Sequence, residues 1–162
     1  MIVIVMGVVG AGKTTVGKML AEQMGWTFSD ADDFHPPANV EKIRQGIALS
    51  DEDRAPWLAR LRAEIERWIA EGKSAVLACS ALKKSYRRML SAGPEVRFVF
   101  LEGPRELIAS RLRAREGHFA GESILASQVR DLEIPESAVM VDVSLPVERI
   151  VARVRHELSL LQ

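Results

Sequence analysis

The sequence predicts a three-layer α/β fold, with helices on both faces of a five-stranded parallel sheet. Three observations carry this reading. Short runs rich in Val, Ile and Leu recur along the 162 residues, segments of helical periodicity separate them, and glycines stand at several helical stops. Ile2-Val3-Ile4-Val5-Met6 has no polar alternation, which marks a strand buried on both faces. Lys13–Met24 places Val16, Met19, Leu20 and Met24 on one helical face and stops at Gly25. Thr27-Phe28-Ser29 is a short second strand, and Ala38–Gln45 a helix ending at Gly46. Ser50-Asp51-Glu52-Asp53 reads as a capping box with an acidic partner in place of the usual Glu or Gln. The helix it opens carries Trp57, Leu58, Leu61, Ile65, Trp68 and Ile69 at helical spacing and stops near Gly72. Ser74–Cys79, Val96–Leu101 and Val139–Val143 are the remaining strands; Lys83–Leu90, Arg105–Arg115 and Val147–Leu161 are helices. Strands separated by helices require right-handed crossovers. Glu116–Glu122, with Gly117 and Gly121, is the least regular stretch and the place for a mobile flap.

Composition narrows the classes of function. The length suits one domain spanning residues 1–162, and 48% hydrophobic residues is ordinary for a globular chain. Lys plus Arg balance Asp plus Glu at 22 each, so no net field draws the molecule to nucleic acid or to an acidic membrane. The single cysteine, Cys79, excludes a disulfide framework or a cysteine zinc site within one chain. The apolar run Ile2–Met6 is too short for a signal sequence or a membrane span. A reducing, cytoplasmic compartment is the expectation.

Gly7-Val8-Val9-Gly10-Ala11-Gly12-Lys13-Thr14 fits the pattern G-x-x-x-x-G-K-[ST], and it follows a buried strand and opens a helix. Glycines let the backbone approach phosphate closely, and successive N–H groups with the helix N-terminus cradle the charge. Lys13 is expected at the β- and γ-phosphates of a nucleoside triphosphate, and the Thr14 hydroxyl on Mg²⁺. The motif also serves switch GTPases and motor ATPases. The chain lacks the guanine-reading N-K-x-D, and neither Ser74–Cys79 nor Val96–Leu101 ends in the Asp-Glu of a motor. A small-molecule kinase fits better than either.

Ser29-Asp30-Ala31-Asp32-Asp33-Phe34-His35-Pro36-Pro37 gathers three carboxylates and an imidazole where the second strand ends. Ligands of open α/β sheets sit beyond the carboxyl ends of the strands, so this turn belongs beside the phosphate loop. A kinase needs one carboxylate to orient or deprotonate the attacking hydroxyl and another to hold Mg²⁺. In an extended segment Asp30 and Asp32 share one side and Asp33 faces another. The competing reading is a solvated turn with an Asp cap. Lys83, Lys84, Arg87 and Arg88 follow the third strand, where cations suit an anionic substrate; Lys84 and Arg88 read as solvated helix surface. Arg105, Arg111, Arg113 and Arg115 crowd the segment before the flap, where an arginine closes over a transferring phosphoryl group. Arg54 stands near a helix N-terminus, against the dipole, which implies a specific task. Trp57 and Trp68 read as core, and His35 and His118 flank loops.

The phosphate loop, Asp30–Pro36, Leu49–Trp57, Ala78–Arg87 and Arg115–Phe119 together resemble the gluconokinase family of small P-loop kinases. Cys-Ser-Ala-Leu-Lys-Lys-x-Tyr-Arg and Asp-Arg-x-Pro-Trp are the more specific segments. More distantly the arrangement is similar to shikimate kinase and adenylate kinase. The resemblance implies a P-loop NTPase fold with a lid at about 111–131, ATP and Mg²⁺, phosphorylation of D-gluconate at its 6-hydroxyl, and often a homodimer. It implies that Gly7 to Thr15 hold the nucleotide, with Arg111 and Pro146 beside it, and that Thr14 and Asp30 hold the metal. It further implies Lys13, Asp32 and Arg115 as catalytic residues, and Asp32, His35, Arg54, Lys83, Arg87 and His118 around the gluconate. Asp33 is an additional acid that leaves the base open among three aspartates.

Overall fold

The computed structural model describes residues 1–114 and 119–161, with backbone alone at 119 and 120. Five strands, β1 (Ile2–Met6), β2 (Thr27–Asp30), β3 (Ala75–Ala78), β4 (Val96–Glu102) and β5 (Val139–Asp142), form one parallel sheet in the order β2-β3-β1-β4-β5. The helices are α1 (Lys13–Met24), α2 (Pro37–Arg44), α3 (Asp51–Ala70), α4 (Lys84–Leu90), α5 (Arg105–Arg113), α6 (Phe119–Asp131) and α7 (Val147–Ser159). No helix among the described residues is long and apolar enough to cross a membrane.

β1 sits at the centre because its five side chains are all apolar and both of its faces are covered. Alternation divides them between two cores. Val3 and Val5 pack with Val16 and Leu20 of α1 and with Val151 and Val154 of α7. Ile2, Ile4 and Met6 pack with Trp57, Leu61 and Ile65 of α3 and Leu90 of α4. The chain leaves β1 between β3 on one side and β4 on the other. The crevice of this open sheet therefore lies at the carboxyl end of β1, where the phosphate loop begins.

Helix ends follow the local chemistry read from the sequence. Gly25 closes α1 with a left-handed φ of 70°. Ser50 and Asp53 form a reciprocal box at the start of α3: Ser50 Oγ accepts from the Asp53 N–H at 3.1 Å, and Asp53 Oδ2 accepts from the Ser50 N–H at 2.9 Å. Asp is one methylene shorter than Glu and still reaches.

Two expectations are corrected. Asp30–Phe34 is not extended: β2 ends at Asp30 and Ala31–Phe34 form a 3₁₀ turn. The Asp30 carboxylate accepts from the Asp32 N–H at 2.9 Å and bends the chain there, so simple alternation does not decide which acids share a side. Of the stretch Glu116–Glu122 read as irregular, residues 119–122 are helical, since α6 runs from residue 119. Residues 115–118 lie outside the described residues. Gly121 lowers intrinsic helix propensity, but tertiary contacts override it. Glu122 pairs with Arg113 of α5 at 3.2 Å, and Ser123 Oγ donates to the Gly46 carbonyl at 3.0 Å.

Replacing Ser50 with Ala removes one half of the capping box. A loss of about 1 kcal/mol in unfolding free energy is expected, with the denaturant slope unchanged in urea melts.

Candidate active site

The loop from Gly7 to Thr14 joins β1 to α1, and its glycines are there for specific reasons. Gly10 has φ 83°, and a Cβ added to it would stand 2.7 Å from Leu112 Cγ of α5. Gly12 has φ 98° and directly precedes α1, turning the helix N-terminus toward the crevice. Val9, Gly10, Gly12, Lys13, Thr14 and Thr15 line a cleft, while Val8 and Ala11 are buried behind the loop with Gly7. Lys13 Nζ donates to the Val8 carbonyl at 3.0 Å and so curls back over the loop.

The acidic turn closes against this loop. Thr14 Oγ1 donates to Asp30 Oδ2 at 3.0 Å. Asp30 and Asp32 both line the cleft, whereas Asp33 does not. The Asp32 carboxyl is raised above its ordinary value, first by the desolvating protein around it, then by Asp30, against the opposing pull of Lys13, with a further push from Asp33. The residue remains exposed, so its surroundings crowd the carboxylate without sealing it from water.

At the end of the same turn, His35 stacks on Trp57 with ring centroids 4.3 Å apart and planes 13° from parallel. Trp57 is core, as its spacing implied, and its indole also forms cleft wall; Nε1 donates to the Ala31 carbonyl at 2.7 Å. Buried Asn39 fixes the imidazole tautomer. Its Nδ2 donates to the Asp53 carbonyl at 2.7 Å, and that carbonyl can only accept, which settles the orientation of the amide. The same Nδ2 lies 3.1 Å from His35 Nδ1, so Nδ1 accepts and Nε2 carries the proton. Burial, reinforced by nearby Arg54, lowers the His35 pKa to about 4. His35 is a neutral hydrogen-bond donor.

Arg54 is 5% exposed and lines the same cleft. Its Nη1 donates to Tyr86 Oη at 2.8 Å and to Asp131 Oδ2 of α6 at 3.0 Å. Tyr86 Oη donates onward to Asp51, which also accepts from Lys83 Nζ at 2.9 Å. The cation placed against the dipole of α3 is thus held by a carboxylate from another helix. No protein partner takes its other N–H groups among the described residues, and they remain available to an anion. Cys79 lies on the cleft floor, where burial pushes its thiol up to about 12, so it is protonated and not a nucleophile.

The remaining expected residues divide. Lys83 is tied to Asp51 and sits outside the cleft lining. Arg87 is buried, and its guanidinium donates to the carbonyls of Ala81 at 2.7 Å, Leu82 at 3.0 Å and Glu133 at 2.8 Å. It supports the loop after β3, where Ala81 adopts φ 45°, and the structure does not bring it to the cleft. Arg111 lies exposed on α5, and Pro146 caps α7; neither lines the cleft. Arg115 and His118 lie outside the described residues. Asn39, Gln128 and Asp131 join the site without having been foreseen. Asn39 stands four residues after His35, the one available signal; Gln128 and Asp131 carry no motif.

Among the described residues no cluster of three or more His, Cys, Asp or Glu side chains could cage a metal ion. Mg²⁺ needs less protein, because it keeps waters and takes substrate phosphate oxygens. The Thr14 hydroxyl and Asp30 carboxylate beside the phosphate loop fit that pattern.

Comparison with known proteins shows the family. Residues 9–136 match the family model described as shikimate kinase. A gluconokinase of Gluconobacter oxydans (strain 621H) is 48% identical over 82% of this chain and 75% of its own length. A probable gluconokinase of Xenopus tropicalis is 42% identical over 98% of this chain and 94% of its own. The chain belongs to the gluconokinase family. A solved gluconokinase from Sinorhizobium meliloti 1021 shares the fold at a TM-score of 0.87, with 43% identity, covering 98% of this chain and 91% of that one. Gluconokinases are phosphotransferases, and the chain has the P-loop kinase fold.

The neutral ring has a measurable consequence. By NMR, the His35 resonances are expected not to shift between pH 8 and about 5.5, because its pKa lies near 4. Unfolded histidine takes up a proton near 6.5 and the folded ring resists it, so His35 lowers stability as pH falls from 6.5 toward about 4. A His35 titration centred near 6.5 in the folded protein would contradict both statements.

Proposed function

We propose that the protein transfers the γ-phosphoryl group of ATP to the 6-hydroxyl of D-gluconate, giving ADP and 6-phospho-D-gluconate. One observation carries the reading: a single cleft contains Lys13 and Thr14 of the phosphate loop, Asp30 and Asp32 of the acidic turn, and Arg54. The gluconokinase relatives support the choice of acceptor.

The backbone N–H groups of the loop and the N-terminus of α1 bind the phosphates. Lys13 leaves the Val8 carbonyl and places its charge on the β- and γ-phosphate oxygens. Thr14 and Asp30 would hold Mg²⁺, which when bound neutralises phosphate charge. Asp32 accepts the proton of the attacking 6-hydroxyl, and its raised pKa makes it a better base than an ordinary aspartate. The free N–H groups of Arg54 receive the gluconate carboxylate, with Asp131 keeping the guanidinium in place. His35 donates Nε2–H to a gluconate oxygen and carries no charge that would compete with Arg54. Arg115, His118 and the lid at about 111–131 complete the proposal on the phosphate side. It extends to a cytoplasmic, homodimeric enzyme; the lone buried thiol suits a reducing compartment.

A coupled assay of ADP release, run with D-gluconate and with shikimate, tests the acceptor. Gluconate-dependent turnover is expected, and turnover with shikimate alone would refute the assignment. Lys13→Ala is expected to abolish transfer. Asp32→Asn should lower kcat by roughly 10²-fold with the fold intact by circular dichroism. An unchanged rate would move the base to Asp30 or Asp33.

A further inference from the structure

Helix α6 makes a contact that the proposed reaction has not yet used. The Val9 N–H, within the phosphate loop, donates to Gln128 Oε1 at 2.7 Å across 119 residues of sequence. A backbone N–H can only donate, so the oxygen of the amide faces Val9 and its orientation is settled. The Nε2 amino group is then the free end. It has no protein partner among the described residues, and Gln128 lines the cleft beside Ile124 and Ser127 of the same helix. Asp131, which holds Arg54, stands three residues further along α6 and so on the same face. One helix face therefore touches the phosphate loop at one turn and the carboxylate-binding arginine at the next.

We propose that Gln128 is an acceptor-binding residue: anchored on Val9, it presents a neutral Nε2–H donor to a hydroxyl oxygen of the polyhydroxylated acid. A neutral donor suits this position. It binds a hydroxyl without drawing the carboxylate away from Arg54 and without adding positive charge beside Asp32, which would weaken that base. Fixing the amide on the loop also sets the distance between acceptor and phosphate site, so the acceptor is read relative to the nucleotide. This rests on the gluconate reading above.

The test compares the unmodified protein with Gln128→Met, which conserves length and packing, and Gln128→Ala. The probes are D-gluconate, its singly deoxygenated analogues, and a non-hydrolysable ATP analogue measured by calorimetry without acceptor. Loss of one hydrogen bond should raise the gluconate KM by about tenfold. The dissociation constant of the ATP analogue should change by less than about threefold, because the loop keeps its other N–H groups. The KM penalty should vanish on the one analogue lacking the hydroxyl that Nε2 meets, since the unmodified protein then lacks the same bond as the variants. A penalty that persists on every deoxy analogue overturns the proposal. So does an effect confined to the ATP analogue, which would leave Gln128 as support for the loop. If the unmodified protein neither binds nor phosphorylates gluconate, the activity and this proposal fall together. If it phosphorylates gluconate and Gln128→Met leaves KM unchanged, only the role of Gln128 falls.

Discussion

Asp30 accepts two hydrogen bonds, from the Thr14 hydroxyl at 3.0 Å and from the Asp32 N–H at 2.9 Å, and the layout of the cleft follows from that pair. The first bond ties the acidic turn to the start of α1. The second turns the chain out of β2 into a 3₁₀ turn and sets Asp32 beside the phosphate loop. β1 and β2 are not neighbours in the sheet; β3 lies between them. A side-chain contact across that gap therefore does what the strand ladder cannot, and the negative charge stays beside the loop.

The other half of the cleft depends on a buried charge. Arg54 sits near the N-terminus of α3, where the dipole disfavours it, and burial adds a desolvation cost. Asp131 and Tyr86 offset both, and they come from separate helices. The arginine is thus a joint among α3, α4 and α6, and its remaining N–H groups have no protein partner among the described residues. Neutral His35 follows from the same economy, because a second buried cation beside Arg54 is unfavourable, and burial together with that neighbour keeps the ring unprotonated.

The strands, most helices and the capping box were legible because each follows from local pattern: apolar runs, 3.6-residue spacing, glycine stops. The phosphate loop was legible for the same reason, since its motif is contiguous. The acidic turn was legible in composition and not in shape, because alternation presumes extended backbone and the Asp30 side chain bends it. Arg87 and Lys83 stand in a segment that carries the family resemblance, yet one supports carbonyls of the loop after β3 and the other pairs with Asp51. Resemblance located that segment; contacts alone distinguish a residue that builds a wall from one that faces the ligand.

By itself, the sequence determined the three-layer architecture, the phosphate-binding loop, the group of acids beside it and the family to which they belong. These are properties of short contiguous segments, whose backbone geometry and charge density depend on neighbours in the chain. Only the tertiary structure decided the tautomer of His35, the partner of Arg54 and the place of Gln128. Each of those depends on groups distant in sequence, 77 residues apart for Arg54 and Asp131 and 119 for Val9 and Gln128. Hydrogen bonds of this kind are set by how helices pack on the sheet, and no local pattern encodes which donor meets which acceptor.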